Sequence, residues 1–500
     1  MVNFINLRLA IFILATAFML ISFLGSPNAP IYATIIKFDL DIILAYFHAN
    51  DEFFRPPDTA PRFILFSISF ILLMSIIKLT ITRPDNDKPI NKYIIILCIG
   101  IFYVSFLTSD NIYNYAAIIL ILFSLLHILY KNHEKLAINE SYFVLSFALM
   151  FYIPMIGILF HSTTLSELDN FFRFFLAVPI YFLIRSLRIS FADIIMIFII
   201  GGIFSSLYGL YLFFETDSFR VRGYTSSASI FTNIMMIYFL ISLISFFYFD
   251  GKRRLLSLSC LLLTLSIISI ASTRASLLTL VIVISFLFFS EHRKKLFTLK
   301  PLNMYISLII GLVLISFSNL PSRISNSYNS AYNFINDDSG HYWQHEDSIV
   351  PRLIIWQGSI NMIKGSPIKG VGLSNFNREL LKQIDDGTIL PVRPASTDLT
   401  AGMNHAHNQY FDIFAKLGII GFIILCFFMI VSYWFFNSYK HIPSRDILAL
   451  SLIGKIIILT YTSNMLTHAI LAHQQSTLFM TFTIVILAGV LSKLQTEKGI

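Results

Sequence analysis

An all-α membrane protein is the fold class that the sequence predicts: a polytopic bundle of 12–14 transmembrane helices with one large polar loop between late helices. The 500 residues are 56% hydrophobic and only 13% charged, which is too apolar for a soluble domain. Apolar runs of roughly 17 or more residues recur along the chain, and each is long enough to cross a hydrocarbon core of ~30 Å. Helices are expected in these runs because a helix satisfies its own backbone polar groups.

Fourteen apolar segments define the predicted helices in chain order. They lie at residues 7–25, 63–80, 92–108, 114–130, 142–160, 171–186, 192–214, 228–248, 255–271, 276–290, 301–318, 411–437, 448–466 and 474–492. The first segment is interpreted as a retained helix, because it is longer than the apolar part of a typical signal peptide and has no clear A-x-A cleavage site. Short neighbouring segments could instead form one broken helix or a re-entrant pair.

Basic residues on alternate connections predict the orientation of the bundle. With a cytoplasmic N-terminus, every second connection is basic, and the positive-inside rule then places both ends of the chain in the cytoplasm. The basic residues on these connections are Arg83, Lys88, Lys92, Lys131, Lys135, Arg185, Arg188, Lys252, Arg253, Arg254, Arg293, Lys294, Lys295, Lys440, Arg445, Lys493 and Lys498. They account for most of the net charge of +8, which therefore does not indicate nucleic-acid binding.

Three parts of the chain are predicted: a transmembrane bundle at 1–318, a polar loop domain on the outer side at 319–404, and C-terminal transmembrane helices at 405–500. The loop is rich in Asn, Ser, Tyr and Asp, and loops this long within a compact bundle are usually functional. The sequence contains no evident internal repeat, which gives no support to a transporter built from inverted repeats.

A histidine at the end of this loop is the main candidate for chemistry. His407 stands at the predicted start of a helix and shares one helical face with Phe411, Phe414 and Gly418. A helix N-terminus at the outer mouth of the bundle suits an anion such as a phosphate. Gly418 and Gly421 are expected to let another helix approach closely and so fix the histidine. The alternative is an interfacial histidine that only caps the helix.

Arginines on the outer side form a second signal, because outer connections should contain few of them. Three stand at predicted outer helix ends, Arg173, Arg220 and Arg222, while Arg274 stands in an outward-facing turn and Arg352 in the large polar loop. Each one alone could be a structural ion pair, but together with His407 they predict a shared cationic pocket for an anionic ligand. The segment HYWQHED at 341–347 lacks a tight ligand geometry, so no metal site is predicted there.

Four motifs carry a resemblance to a known family. HNQYFDIFAKLGIIG begins at His407 and reads as His, Asn, nine residues and Gly-x-x-Gly. RLIIWQ begins at Arg352 and precedes PIKGVGLSNF, while RVRG begins at Arg220. STRAS holds Arg274 where the family has Ser-Arg-Gly, although its two neighbours differ from that pattern. With these motifs the chain resembles the bacterial superfamily of O-antigen ligases, O-antigen polymerases and protein O-oligosaccharyltransferases, and it is most similar to the ligases.

The resemblance implies a glycosyltransferase of the bacterial inner membrane, surrounded by membrane lipids and active on the periplasmic face. It implies a glycan donor linked to undecaprenyl diphosphate, a lipid A-core or other glycan acceptor, and no metal or cofactor. The functional residues of the family correspond here to His407, Arg274 and Arg352. We expect His407 to deprotonate the acceptor hydroxyl while the two arginines stabilise the leaving diphosphate, with inversion at the anomeric centre.

Further substrate-binding candidates are Arg220, Arg222, Arg173, Asn408 and His405, of which His405 is also a fallback base. His468 and His473 lie on another outer connection and are interpreted as structural.

The identity of the acceptor is left open by the sequence, so a polymerase and a protein O-oligosaccharyltransferase are the alternatives within the superfamily. A transporter of lipid-linked glycans belongs to a different class. It would place charges near the bilayer midplane, whereas these arginines stand at helix ends.

Overall fold

The computed structural model describes residues 89–130, 136–158, 161, 165–216, 221–271, 274–289, 320–336, 349–392 and 403–497. These residues all belong to one compact unit. They form helices and the connections between them, and no strand occurs in the described ranges. The predicted all-α fold class is therefore confirmed.

Fourteen α-helices occur within the described ranges. They are α1 (Pro89–Ser105), α2 (Ile112–Tyr130), α3 (Ile138–Ile158), α4 (Asp169–Ser186), α5 (Phe191–Thr216), α6 (Ala228–Tyr248), α7 (Gly251–Ala271), α8 (Arg274–Phe289), α9 (Leu320–Asn336), α10 (Ile349–Gly365), α11 (Phe376–Asp385), α12 (Gln409–Ser438), α13 (Arg445–Asn464) and α14 (Gln474–Glu497).

Seven of these helices are long and apolar enough to cross a membrane: α3, α5, α6, α7, α12, α13 and α14. Helices α1 and α2 contain shorter apolar stretches. Eleven of the fourteen predicted apolar segments coincide with a described helix, which confirms a polytopic helical bundle. The segments at 7–25, 63–80 and 301–318 lie outside the described residues, so the total of 12–14 spans stays a prediction.

The core of the bundle lies around α13 and α14, whose side chains are buried along almost the whole of both helices. Helix α14 packs against α4 and α13, and α13 also packs against α6, α8 and α12. Helices α5 and α7 instead expose large apolar side chains such as Phe204, Leu207 and Leu262. A hydrocarbon solvent accepts such side chains without cost, so these faces suit contact with lipid.

The predicted loop domain contains α9, α10, a 3₁₀ turn at Leu373–Asn375 and α11. It has a small hydrophobic core of its own. The buried members of this core are Val350, Ile354, Ile355, Met362, Phe376, Leu380, Ile389, Val392, Met403, Ala406 and Ala415. Because Ala415 belongs to α12, this core joins the loop to the first turns of that helix.

A break in α12 at Gly418 receives part of the loop. Gly418 has φ 67° and ψ −165°, so the helix is interrupted there. The segment 367–372, here called the docking segment, fills the break with main-chain hydrogen bonds. They run from Val371 N to Ala415 O (2.8 Å), from Gly372 N to Lys416 O (2.9 Å) and from Ile419 N to Pro367 O (2.8 Å). These bonds satisfy backbone groups that the break releases.

This contact corrects the expectation that Gly418 and Gly421 admit a second helix. A Cβ on Gly418 would lie 2.0 Å from the carbonyl oxygen of Ile368, so the close neighbour is the docking segment. A Cβ on Gly421 would instead meet Leu417 and Ile413 of its own helix. Gly418 of the His407 motif and Gly370 of the docking segment thus share one contact, because a Cβ on Gly370 would meet the backbone of Lys416 and Leu417.

Basic side chains gather at one end of the bundle, here called the basic end. Arg445 Nη2, in the first turn of α13, donates to the carbonyl oxygen of Tyr248 at the end of α6 (3.1 Å). Arg188, after α4, pairs with Glu497 at the end of α14 (3.2 Å). The C-terminal end of α13 and the N-terminal ends of α4, α12 and α14 therefore lie at the opposite end, here called the histidine end.

Candidate active site

The loop before α12 holds His407 in a left-handed backbone conformation, with φ 51°. This region is unfavourable for residues other than glycine and persists only where the surroundings enforce it. Asp412 Oδ1 accepts a hydrogen bond from the amide of Ala406 (3.0 Å). Lys416 Nζ donates to the carbonyl of Asn404 (2.7 Å) and lies 3.0 Å from Asp412 Oδ1. A buried ion pair on α12 thus anchors the residues that precede His407.

Asn408 and Gln409 tie the same loop to the connection between α13 and α14. Asn408 Oδ1 caps α12 by accepting from the amides of Tyr410 and Phe411 (2.9 and 3.1 Å). Its Nδ2 donates to the carbonyl of Leu466 (2.9 Å). The main-chain amide of Gln409 donates to Met465 O (2.8 Å). Asn408 is thus a helix cap that positions its neighbour, and its role in substrate binding stays a prediction.

Arg352 and His407 are brought to the same place through α10. Arg352 lies in the first turn of α10, and Trp356 follows it one turn later. Trp356 Nε1 donates to the carbonyl of Ala406, next to His407 (2.9 Å). The charge of Arg352 acts on the ring of His407 and also on that of His468.

Four histidines meet at this end of the bundle, and we call them the histidine cluster: His405, His407, His468 and His473. The ring centroids of His405 and His407 are 4.3 Å apart, and those of His405 and His473 are 5.1 Å apart. The rings of His468 and His473 stack at 5.0 Å with an angle of 5° between their planes. The centroids of His407 and His468 are 6.2 Å apart.

The sequence favours a structural interpretation of His468 and His473 and does not predict that both lie beside His407, as they do in the structure. The signal available was their position on a second connection that the predicted topology places at the same end of the bundle. What the sequence does not contain is the pairing of the two connections through Asn408 and Gln409.

The surroundings keep the cluster uncharged. Burial, the positive charge of Arg352 and the neighbouring His473 lower the pKa of His407 to about 4. Burial and the charge of Lys416 lower the pKa of His473 to about 4. Burial is also the main cause of the lowered pKa values of His405 and His468. At pH 7 the four imidazoles are therefore neutral, and each can accept a proton.

The tautomer of His405 follows from one contact. His405 Nδ1 lies 3.3 Å from the main-chain amide of His407 and accepts its hydrogen bond. A neutral His405 therefore carries its proton on Nε2. This contact adds one more restraint on the backbone of His407.

The other predicted arginines fall into different positions. Arg173 is 3% exposed, and its guanidinium binds Asp169 and Asn170 of the same helix (2.8 and 2.7 Å). Its role in substrate binding stays a prediction. Arg222 is exposed on the connection between α5 and α6. That connection reaches the histidine cluster, because Ser226 Oγ lies 3.2 Å from His473 Nδ1.

Arg274 is the first residue of α8, and its side chain lies outside the described residues, as does the whole of Arg220. The position of α8 is given by Thr279, which donates to Asn464 Oδ1 (2.5 Å) and lies 3.1 Å from Ser463 Oγ, both at the C-terminal end of α13. The start of α8 therefore lies at the histidine end. The roles of Arg274 and Arg220 stay predictions.

The polar segment 341–347, for which the sequence predicts no metal site, lies outside the described residues. Within the part of the chain that the structure describes, no three His, Cys, Asp or Glu side chains converge in a way that could hold a metal ion.

Comparison with known proteins agrees with the motifs. Residues 258–426 match the model of the family described as O-Antigen ligase. The matched residues include α8, the loop and the first part of α12. A protein of Haemophilus influenzae named "Uncharacterized protein" is 22% identical over 396 residues, which cover 77% of this chain and 94% of that protein. The resemblance to the O-antigen ligase and polymerase superfamily is confirmed over the matched residues, and the family indicates a glycosyltransferase in a membrane.

Proposed function

We propose, from the O-antigen ligase family domain at residues 258–426, that the protein transfers O-antigen glycan from undecaprenyl diphosphate to the lipid A-core acceptor. The transfer takes place on the periplasmic face of the inner membrane. It needs no metal ion or cofactor, and it inverts the anomeric centre of the transferred sugar.

The observation that carries this proposal is the meeting of Arg352 and His407 at one end of the bundle. A guanidinium binds phosphate oxygens with two parallel hydrogen bonds and keeps its charge at every physiological pH. A neutral imidazole is the side chain best suited to remove a proton near pH 7. The two groups together match a reaction in which a hydroxyl attacks and a diphosphate leaves.

The reaction is balanced by these two groups. The acceptor oxygen forms a bond to the anomeric carbon and passes its proton to His407. The bond between that carbon and the phosphate oxygen breaks, and its electron pair leaves with undecaprenyl diphosphate. Arg352, with Arg274 at the start of α8, stabilises the charge that grows on the diphosphate. Attack from the side opposite to the leaving group gives inversion.

Donor binding would also prepare the base. In the free protein the charge of Arg352 helps to lower the pKa of His407 to about 4, after burial as the main cause. A diphosphate bound to Arg352 neutralises that charge, so the pKa of His407 rises towards the range in which a general base is most effective. The base is therefore strongest when the donor is present.

The side of the membrane follows from the charges at the basic end. The positive-inside rule supports a cytoplasmic position for Arg185, Arg188 and Arg445, and with them for the end of α14 at Glu497. The cytoplasmic N-terminus is proposed from the basic connections in the sequence alone. The histidine end then faces the periplasm. Among the remaining predicted substrate residues, Arg222 and Arg220 lie on or beside the connection that reaches His473 and are assigned to the donor.

The decisive test is transfer by the purified protein in detergent, with an undecaprenyl-diphosphate-linked glycan and a lipid A-core acceptor. We expect product in the presence of EDTA, and NMR of the new linkage should show the inverted configuration. Absence of product with this acceptor would contradict the proposal.

Deletion of the gene separates the ligase from the polymerase, which uses the same donor and a second lipid-linked repeat as acceptor. For a ligase, gels of lipopolysaccharide should lose all long chains while carrier-linked polymer accumulates. A core bearing one repeat would instead identify a polymerase.

A further inference from the structure

We propose that the histidine cluster is the binding subsite for the sugar of the acceptor, and that His468 and His473 hold its hydroxyl groups next to His407. This inference rests on the proposed glycosyl transfer. It assigns the acceptor to the histidines and the donor diphosphate to the arginines.

Ring nitrogens without partners are the first observation. His468 is 5% exposed, and both of its ring nitrogens lack a hydrogen-bond partner among the described residues. The same holds for His407 Nδ1 and His473 Nε2. A buried polar atom without a partner is costly, and such atoms are rare in folded proteins. Four of them in one cluster indicate a place that is completed by a polar ligand.

The chemistry of a neutral imidazole selects the kind of ligand. Each neutral ring offers one N–H donor and one nitrogen acceptor, and a hydroxyl group likewise donates and accepts. Phosphate oxygens only accept, so they match the guanidinium of Arg352, which only donates. A polyhydroxylated sugar is therefore the class of ligand that fits the histidines.

The neighbouring charges preserve this pattern. The titratable and charged groups that act on His468 are His407, His473 and Arg352, and Lys416 acts on His405 and His473. All of these groups, together with burial, disfavour the protonated imidazoles. The rings accordingly keep an acceptor nitrogen at pH 7, which an imidazolium would lack.

The arrangement of the rings fits a sugar that enters from the surface. His405, His407 and His473 are partly exposed, whereas His468 is buried and forms the floor of the cluster. His407 and His473 flank His468, with ring centroids 6.2 and 5.0 Å from it. One hydroxyl can therefore meet the base while neighbouring hydroxyls of the same ring meet His468 and His473.

The floor is held in place by the main chain around it. His468 lies between the end of α13 and the 3₁₀ turn Ile470–Ala472. The amide of Leu471 donates to Gln409 Oε1 (2.6 Å), and the amide of Gln409 donates to Met465 O (2.8 Å). The position of His468 relative to His407 is thus set by Met465 and Leu471, which lie on either side of His468 and both bind Gln409.

The experiment compares H468F, which removes both ring nitrogens, with H468Q, whose amide restores one donor and one acceptor. The steady-state KM is measured separately for the lipid A-core acceptor and for the lipid-linked donor. We expect H468F to raise the acceptor KM about tenfold and to leave the donor KM unchanged, because only hydroxyl contacts are lost. H468Q should recover a large part of the loss.

Two further variants serve as a second test and as a control. H473F tests the second, partly exposed ring and should also raise the acceptor KM alone. H441F replaces an exposed histidine at the basic end and should behave as the wild type. The elution volume and the thermal unfolding of each variant in detergent report whether it is folded.

The outcomes separate the two proposals. Glycan transfer by the wild type with an unchanged acceptor KM in folded H468F and H473F overturns the acceptor subsite alone. An equal rise in the KM of donor and acceptor also overturns it, because the histidines would then support the site as a whole. Absence of transfer by the wild type overturns the proposed function itself.

Discussion

The two ends of the bundle differ in how far their buried polar side chains are hydrogen-bonded. At the basic end, Glu140 accepts hydrogen bonds from Arg185 Nε and from the hydroxyl of Tyr181, each at 2.8 Å. The Tyr181 hydroxyl lies 3.0 Å from Ser492 Oγ, which in turn lies 3.3 Å from the hydroxyl of Tyr439. This network joins α3, α4 and α14, and every member has a partner.

At the histidine end, the main chain is held by hydrogen bonds, while several histidine ring nitrogens have no hydrogen-bond partner in the described residues. Side chains bind the backbone at three positions: Lys416 at Asn404, Asp412 and Trp356 at Ala406, and Asn408 at Leu466. The rings of His407, His468 and His473 nevertheless keep nitrogens without a hydrogen-bond partner in the described residues. A saturated network stabilises a fold, whereas a rigid site with unsatisfied groups is prepared for a ligand.

The largest expected effect is the loss of the proposed base. In H407A we expect transfer to fall by about 10²–10⁴-fold, the usual contribution of a general base. Folding should be retained, because the bonds that hold this loop, such as those of Trp356, Asp412 and Lys416, do not involve the His407 ring. Initial rates and thermal unfolding in detergent measure the two properties. Normal transfer by folded H407A would remove the base assignment.

The second largest loss of activity should follow from disturbing the contact between the docking segment and α12. In G418A the new Cβ would lie 2.0 Å from the carbonyl oxygen of Ile368 and would occupy a left-handed conformation. We expect activity to fall about tenfold or more and protease cleavage in the loop to increase, at a conformational cost of roughly 1–3 kcal/mol.

Gly365 provides the matched control for that variant. It lies two residues before the docking segment, and a Cβ there meets nothing within 4 Å in the described structure. G365A should therefore retain activity and protease resistance. Equal behaviour of G418A and G365A would mean that the docking segment does not support the site.

A moderate effect is expected from pH: kcat/KM should fall at acid pH. The base must be neutral, and the pKa of His407 is about 4 in the free protein. The value of kcat/KM, which reports the free enzyme, should therefore hold from neutral pH to about pH 5 and fall as the pH drops through about 4. An acid limb near the ordinary histidine pKa of about 6.5 would contradict the burial of His407 beside Arg352.

The smallest effects on activity should come from the basic end. R185M leaves Glu140 buried without its cation, so we expect the free energy of unfolding to fall by about 3 kcal/mol while activity per folded molecule is unchanged. R188A removes an exposed pair with Glu497, whose loss should cost less than about 1 kcal/mol. A loss of kcat in R185M at full folding would show that the two ends are coupled.

Much of the fold was predictable because long apolar runs have few structural solutions. The eleven segments on described residues are all helical, and the His407 motif marks the start of α12 as expected. The role of Gly418 was not predictable, because a glycine in an apolar helix permits either a packed helix or a break. Only the backbone partners of Ala415, Lys416 and Ile419 distinguish the two.

The site was predicted in part for a similar reason. Arg352 and His407 lie in sequence motifs, so they could be predicted directly. His468 and His473 lie in the site because of contacts between two connections that are distant in sequence. For Arg173 the sequence also predicts the ion pair that the structure shows. Asp169 stands four residues earlier on the same helix, a spacing typical of an ion pair.

The indole of Trp356 offers an optical view of the site. It donates to the carbonyl of Ala406 and its ring centroid lies 5.8 Å from that of Phe411, so its emission reports how α10 is seated on the loop before α12. The chain has only three tryptophans, and replacing Trp343 and Trp434 by Phe leaves this fluorophore alone. Stopped-flow mixing with lipid-linked substrate would then time the first step of turnover directly.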